Sequence, residues 1–218
     1  MFDASDFARA ERLGRIRLSE RFFMRDFLFS ETALAYRLPN LPTDEKLAIE
    51  VGEGLCQHLL EPLCDRFGHI HIRSAFRSEA VNEIGNRDNR NCASNEANFA
   101  DHIWDRMDGA RKGATACVVI PAFYDAFQAS GDWTELAWWV HDHLPYNTMF
   151  FFTREKSRWA FNLNWSTGVS PERRIDSYEG RYENGEWTTK RLLTKIGMAN
   201  NEGDHSSCYA RLEERLSQ

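Results

Sequence analysis

The sequence has 218 residues, of which 42% are hydrophobic and 28% charged, a composition typical of a globular protein with a sizeable core. Its formal charge of −6 argues against a protein dedicated to binding nucleic-acid phosphates. No apolar run approaches the roughly 20 residues that cross a bilayer, and the acidic first residues lack the basic-then-apolar order of a signal peptide.

The five cysteines are scattered along the chain and odd in number, which favours reduced thiols over a disulfide framework. We therefore expect a cytoplasmic protein with neither a membrane nor a nucleic acid as partner. The sequence leaves the oligomeric state open.

Residues 5–36 are predicted to be helical, and two prolines within 37–43 end this region. Thr43 or Asp44 can cap the next helix. Pro62 is expected to kink or restart that helix near its end. Its apolar residues recur at every fourth position, namely Leu47, Val51, Leu55, Leu59 and Leu63.

Apolar and polar residues alternate over 69–73, which predicts a strand. Residues 82–113 are polar and irregular and are predicted to form a long functional loop. A central strand is expected at 116–120, and a helix from Asp132 with Glu135 in a capping-box position. Two strands are predicted at 149–152 and 159–165 around a charged turn at 154–156, and a hairpin turn at Asn184-Gly185.

This order predicts an α+β fold in which helices pack on a small, mainly antiparallel sheet. We expect residues 1–165 to form the main domain. Residues 166–218 are charged and turn-rich, and we expect them to be a C-terminal extension packed on that domain.

Three motifs follow one another between residues 22 and 82. They are Phe23 to Ala33 with Asn40-Leu41-Pro42, then Leu60-Glu61-Pro62-Leu63, then Ser74-Ala75-Phe76-Arg77-Ser78. Together they resemble the D-Ala-D-Ala carboxypeptidase family of zinc peptidases, whose fold is shared with the hedgehog signalling domain. The resemblance implies that scaffold and a zinc-dependent peptidase activity.

The family's metal motif, Ser-x-His-x-x-Gly-x-Ala-x-Asp, is altered in this sequence. The resemblance implies His102 as one zinc ligand and places Cys117 at the position of the metal-binding Asp. Thiolate and imidazole are both zinc ligands, so this exchange keeps an anionic donor. Asp105 or Asp108 is expected to complete or support the site, and His141 or His143 are alternative third ligands.

The remaining candidate residues are assigned to substrate binding and proton transfer. Arg77 of the Arg-Ser signature is expected to hold a substrate carboxylate through paired hydrogen bonds. Asn162 and Asn164 lie on the late strand where the family carries a His, and we expect them to contact substrate. The segment His141-Asp142-His143 is expected to move protons.

The leading hypothesis is a metal-dependent hydrolase that cleaves an amide bond in a small peptide-like substrate, with zinc or another divalent metal as cofactor. Two alternatives stay open. In the first, the scaffold has lost peptidase chemistry and serves as a binding or interaction module. In the second, it is an enzyme with a different metal, or with Cys117 as a nucleophile activated by His102 or His141.

Overall fold

The structure, a computed structural model, describes residues 3–90, 92–152, 159–183 and 186–217. The predicted turns at 154–156 and at Asn184-Gly185 lie outside these residues. None of the helices in the described ranges is long and apolar enough to span a bilayer.

The helices fall into three groups along the chain. The first group comprises α1 (Ala4–Gly14), α2 (Arg25–Leu28) and α3 (Glu31–Tyr36), and the second α4 (Glu45–Leu55), a π-helical turn (Cys56–Leu60) and α5 (Glu61–Phe67). The remaining helices are α6 (Glu79–Arg87), a 3-10 turn (Glu96–Asn98), α7 (Pro121–Ser130), α8 (Thr134–His143) and α9 (Ser206–Leu216).

Six strands form one open and mostly antiparallel sheet, in the order β1-β2-β4-β3-β5-β6. They are β1 (His71–Ser74), β2 (Lys112–Val119), β3 (Thr148–Phe151), β4 (Ala160–Thr167), β5 (Arg174–Glu183) and β6 (Glu186–Thr194). Strand β3 pairs in parallel with β5, with Met149 opposite Ile175, whereas β5 and β6 are antiparallel. The predicted α+β class with a mainly antiparallel sheet is confirmed.

The chain divides into two compact units. Unit 1 comprises residues 1–61, 72–116 and 164–170, and unit 2 comprises 62–71, 117–163 and 171–218. The expected C-terminal extension, 166–218, is thus divided between them, with all but its first five residues in unit 2.

Local signals in unit 1 explain where its helices begin. Asp44 caps α4 by accepting a hydrogen bond from the backbone N–H of Leu47 at 3.0 Å, which decides between the two predicted caps. The helix restarts as α5 at Glu61, next to Pro62, as predicted. The π-helical turn at 56–60 precedes this restart, and Leu55, Leu59 and Leu60 are fully buried around it.

Two predictions of regular structure were wrong in part. Residues 5–36 form three helices rather than one helical region, because 15–24 folds back through an isolated bridge between Arg17 and Phe23. The predicted loop at 82–113 begins inside α6, which is capped by Ser78. Asn82 of α6 is buried and donates to the Ala93 carbonyl and the Asn95 side chain. A polar residue thus occupies a buried position of the helix, which is why the polar sequence was interpreted as a loop.

Gly113 on β2 generates a stability prediction. A Cβ atom at this position would lie 2.8 Å from the carbonyl oxygen of Trp165 and closer still to that of Ala100, and neither backbone oxygen moves freely. We expect Gly113→Ala to lower the free energy of unfolding by about 1–3 kcal/mol, measured by urea denaturation.

The control for this prediction is Gly14→Ala, which adds the same methyl group 3.2 Å from Cβ of Arg25, a contact that a movement of a few tenths of an ångström relieves. We expect its effect to be smaller. Equal losses in the two variants would show that the close approach of backbone oxygens at Gly113 is unimportant.

Candidate functional site

The candidate site lies within unit 2, at the C-terminal end of α8. His141 and Asp142 belong to the last turn of this helix, and His205 directly precedes α9. Nδ1 of His205 lies 2.6 Å from Oδ1 of Asp142, and the two side chains are only 11% and 14% exposed. The histidines are close as well, with ring centroids 5.3 Å apart.

Several contacts fix the Asp142–His205 pair. Oδ2 of Asp142 accepts from the backbone N–H of His205 at 3.0 Å and from the hydroxyl of Tyr209 at 3.1 Å. Nε2 of His205 lies 2.9 Å from the carbonyl oxygen of Asn200. The His205 ring is stacked on Trp138, with centroids 4.3 Å apart. Both ring nitrogens of His205 thus face an oxygen atom of the chain.

His141 is buried and held on both sides of its ring. Nε2 lies 2.9 Å from the carbonyl oxygen of Asn201, and Nδ1 lies 2.7 Å from the hydroxyl of Tyr146. A carbonyl only accepts, so we assign the proton of the neutral ring to Nε2, which leaves Nδ1 as an acceptor. Burial lowers the pKa of His141, which favours the neutral ring near pH 7.

The two tyrosines next to the cluster are hydroxyl donors. Burial raises the pKa of Tyr146 well above its usual value. Burial and the neighbouring Asp142 carboxylate raise the pKa of Tyr209 to about 12. Both tyrosines therefore stay protonated at neutral pH, and each carries an uncharged hydroxyl that can donate a hydrogen bond.

A cleft of about 370 Å³ is lined by His141 and Asp142 of this cluster. Its lining is polar and includes Arg173, Asn201 and Tyr209 together with the side chains of the last turn of α8. Arg173 has a φ of 52°, in the left-handed region where residues other than glycine are uncommon. Such conformations are found more often at functional sites than elsewhere.

His141, Asp142 and His205 could together hold a metal ion. Each offers one ligand atom, and these atoms lie within 4.8 Å of one another. Two imidazoles and one carboxylate are a donor set that suits zinc and also non-haem iron(II). The ring contacts with the Asn200 and Asn201 carbonyls are of the kind that orient metal-bound histidines from the outer shell. The donor chemistry therefore fits the divalent metal that was expected.

The residues expected to bind metal lie elsewhere. His102 is bound through Nδ1 to the carbonyl oxygen of Ala75 at 2.7 Å, and Cys117 is buried on β2. Asp105 accepts from the backbone N–H of Thr43 at 2.6 Å, and Asp108 pairs with Arg111. Burial raises the pKa of the Asp105 carboxyl. Within the described ranges, no three of these four residues meet at metal-binding distance.

Two of the three residues expected to bind substrate, Arg77 and Asn164, have side-chain partners within the chain. Nη1 of Arg77 lies 2.6 Å from Sγ of Cys92. The amide of Asn164, a buried residue of β4, donates to the hydroxyl of Thr115 at 2.8 Å and to the carboxylate of Asp101 at 3.0 Å. Asn162 is a half-buried residue of the same strand.

The segment expected to move protons is divided by the structure. His141 and Asp142 belong to the cluster. His143 lines the cleft but is not part of the cluster, and its ring is stacked on that of Trp139 with centroids 4.5 Å apart. Sequence analysis missed His205, which lies 63 positions after its partner Asp142. The only local signal was its position immediately before a short amphipathic helix.

Comparisons of the chain with protein-family models, with curated proteins and with solved structures find no match at the level taken as significant. The resemblance to the zinc peptidases thus stays a prediction from motifs in the first half of the chain. The chemistry of the cleft has to be inferred from its own residues.

His102 generates a prediction of pH-dependent stability. Complete burial, with the nearby charge of Arg77, holds the pKa of His102 well below its usual value. Below about pH 6.5, His102 is therefore protonated in the unfolded chain but stays neutral in the folded protein. We expect the free energy of unfolding to fall with pH by up to about 1.4 kcal/mol per unit below that point, measured by urea denaturation between pH 7.5 and 5.

The variant His102→Asn retains an N–H donor for the Ala75 carbonyl but has no titrating ring. We expect it to be less stable at every pH and to lose less stability on acidification. A wild-type slope retained in His102→Asn would contradict the assignment.

Proposed function

We propose that the protein is a metal-dependent hydrolase whose metal is held by His141, Asp142 and His205. The observation that supports this is the convergence of two imidazoles and a carboxylate within 4.8 Å, beside a polar cleft that His141 and Asp142 line. The proposed substrate is a small peptide-like molecule, which follows from the resemblance to the carboxypeptidases. Zinc is the expected metal on the same ground.

Three residues of the cleft, Asp142, His143 and Tyr209, have a proposed task. A zinc ion held by His141, Asp142 and His205 would polarise a carbonyl oxygen and would make water acidic enough to act as a nucleophile near neutral pH. Asp142 holds His205 in place and adds negative charge to the donor set. The exposed ring of His143 is placed to give or take a proton at the cleft, and the protonated hydroxyl of Tyr209 is placed to donate a hydrogen bond.

The proposal predicts stoichiometric metal binding. Protein stripped with a chelator should bind about one zinc ion per chain, measured by calorimetry and by elemental analysis after dialysis. His205→Ala and Asp142→Ala each remove a ligand, so both should weaken binding by more than the roughly 10–100-fold that outer-shell changes cost. Histidine and carboxylate ligands must be deprotonated to bind zinc, so affinity should fall as the pH is lowered from 7.5 to 6.

The matched control for binding is His143→Ala, which removes an imidazole from the same cleft but not from the cluster. It should retain the zinc stoichiometry. Wild-type protein that binds no metal, or equal binding by all the variants, would reject the metal site. Hydrolysis is tested separately, by release of D-alanine from a peptide ending in D-Ala-D-Ala and its loss in the presence of chelator.

A second candidate function is that of a binding module without hydrolase activity. It is favoured by the fact that both ring nitrogens of His141 and of His205 already have partners within the chain. In that case Asp142 and His205 serve to fix the segment before α9 on the end of α8. Absence of both zinc binding and hydrolysis would support this second function.

A further inference from the structure

Arg173 makes the closest side-chain contacts to the C-terminal end of α8. Its Nη1 donates to the carbonyl oxygen of Leu144 at 2.7 Å, and its Nη2 donates to the carbonyl oxygen of His141. Nη2 also lies 3.4 Å from Nδ1 of His141. The planar guanidinium thus spans two carbonyls that the helix itself leaves without partners.

Tyr146 connects Arg173 to the ring of His141. The guanidinium lies over the tyrosine ring, with Cζ 4.5 Å from its centroid. The tyrosine hydroxyl is 2.7 Å from Nδ1 of His141 and 3.1 Å from the backbone oxygen of Arg173. Side chain and backbone of Arg173 therefore both contact groups that hold His141.

The backbone of Arg173 indicates that this arrangement is constrained. Its φ of 52° is a conformation that side chains larger than glycine or asparagine adopt with strain. The contacts of the guanidinium with α8 and Tyr146 offset that strain. A residue held in this way, beside a candidate metal ligand, is suited to keep the ligand in one orientation.

We propose that Arg173 is the positioning residue of the metal centre, fixing the last turn of α8 so that His141 and Asp142 face His205. This inference rests on the proposed metal-binding function. Arg173 binds no metal itself. Its positive charge would repel a cation, but it lies against the carbonyl end of α8, where the helix dipole is negative.

The test compares two substitutions at this position in the full chain, with Co²⁺ as the probe because its visible absorption reports coordination geometry. Arg173→Asn removes the guanidinium and tolerates the left-handed backbone. Arg173→Lys retains the charge but cannot span two carbonyls. We expect both to bind Co²⁺ about 10–100-fold more weakly than wild type, with altered absorption bands.

The matched control is Arg37→Asn, which makes the same substitution at an exposed arginine of almost the same φ, 53°, in unit 1. It should leave both affinity and spectrum unchanged. A general loss of stability by either Arg173 variant is checked by urea denaturation, and Arg173→Lys provides the milder substitution if Arg173→Asn does not fold.

Two results would overturn the proposal while the metal site stands. Wild-type affinity and spectrum in both Arg173 variants would show that the guanidinium does not position the ligands. Tighter binding by Arg173→Asn would show that the arginine acts as a repelling charge. Failure of the wild type to bind Co²⁺ or Zn²⁺ would instead reject the metal-binding function and this inference with it.

Discussion

The hydrogen bond between Asp142 and His205 is the interaction on which the whole site depends. It joins the end of α8 to the residue that precedes α9, and it is short, at 2.6 Å, between side chains that are largely shielded from water. A charged carboxylate in such surroundings strengthens the bond well beyond that of a neutral pair. The same carboxylate also accepts hydrogen bonds from the backbone N–H of His205 and from the hydroxyl of Tyr209, so one side chain makes three separate contacts.

Local signals predicted much of the fold. The cap at Asp44, the helix restart beside Pro62 and the alternation that gives β1 each depend on neighbours within a few residues, and each is present. The site was less predictable because its members are distant in sequence. His141 and Asp142 were recognised as chemically capable residues, but nothing local indicated that a histidine 63 positions after Asp142 would complete the group. Tertiary packing of α8 against α9 decides that contact.

The positions that the altered peptidase motif indicated have structural partners in unit 1. Asp105 accepts a hydrogen bond from the backbone N–H of Thr43, just before α4, and His102 contacts the carbonyl oxygen of Ala75, just after β1. The Asn164 amide donates to Thr115 and Asp101. Buried polar groups are stable only with such partners. A motif shows which residue types are available, but the distances decide whether they serve as ligands or as internal supports. In this chain Asp105, His102 and Asn164 have such internal partners, and the group with ligand spacing that the described residues contain lies in unit 2.

The stacking of Trp138 on His205 has a consequence for observing the protein. The two rings lie 4.3 Å apart and within 13° of parallel, a separation at which an imidazole influences the excited state of an indole. Displacement of His205, or binding of a metal ion to it, is therefore expected to alter the light emitted by Trp138. One of the seven tryptophans of the sequence thus lies where its emission responds to the candidate centre.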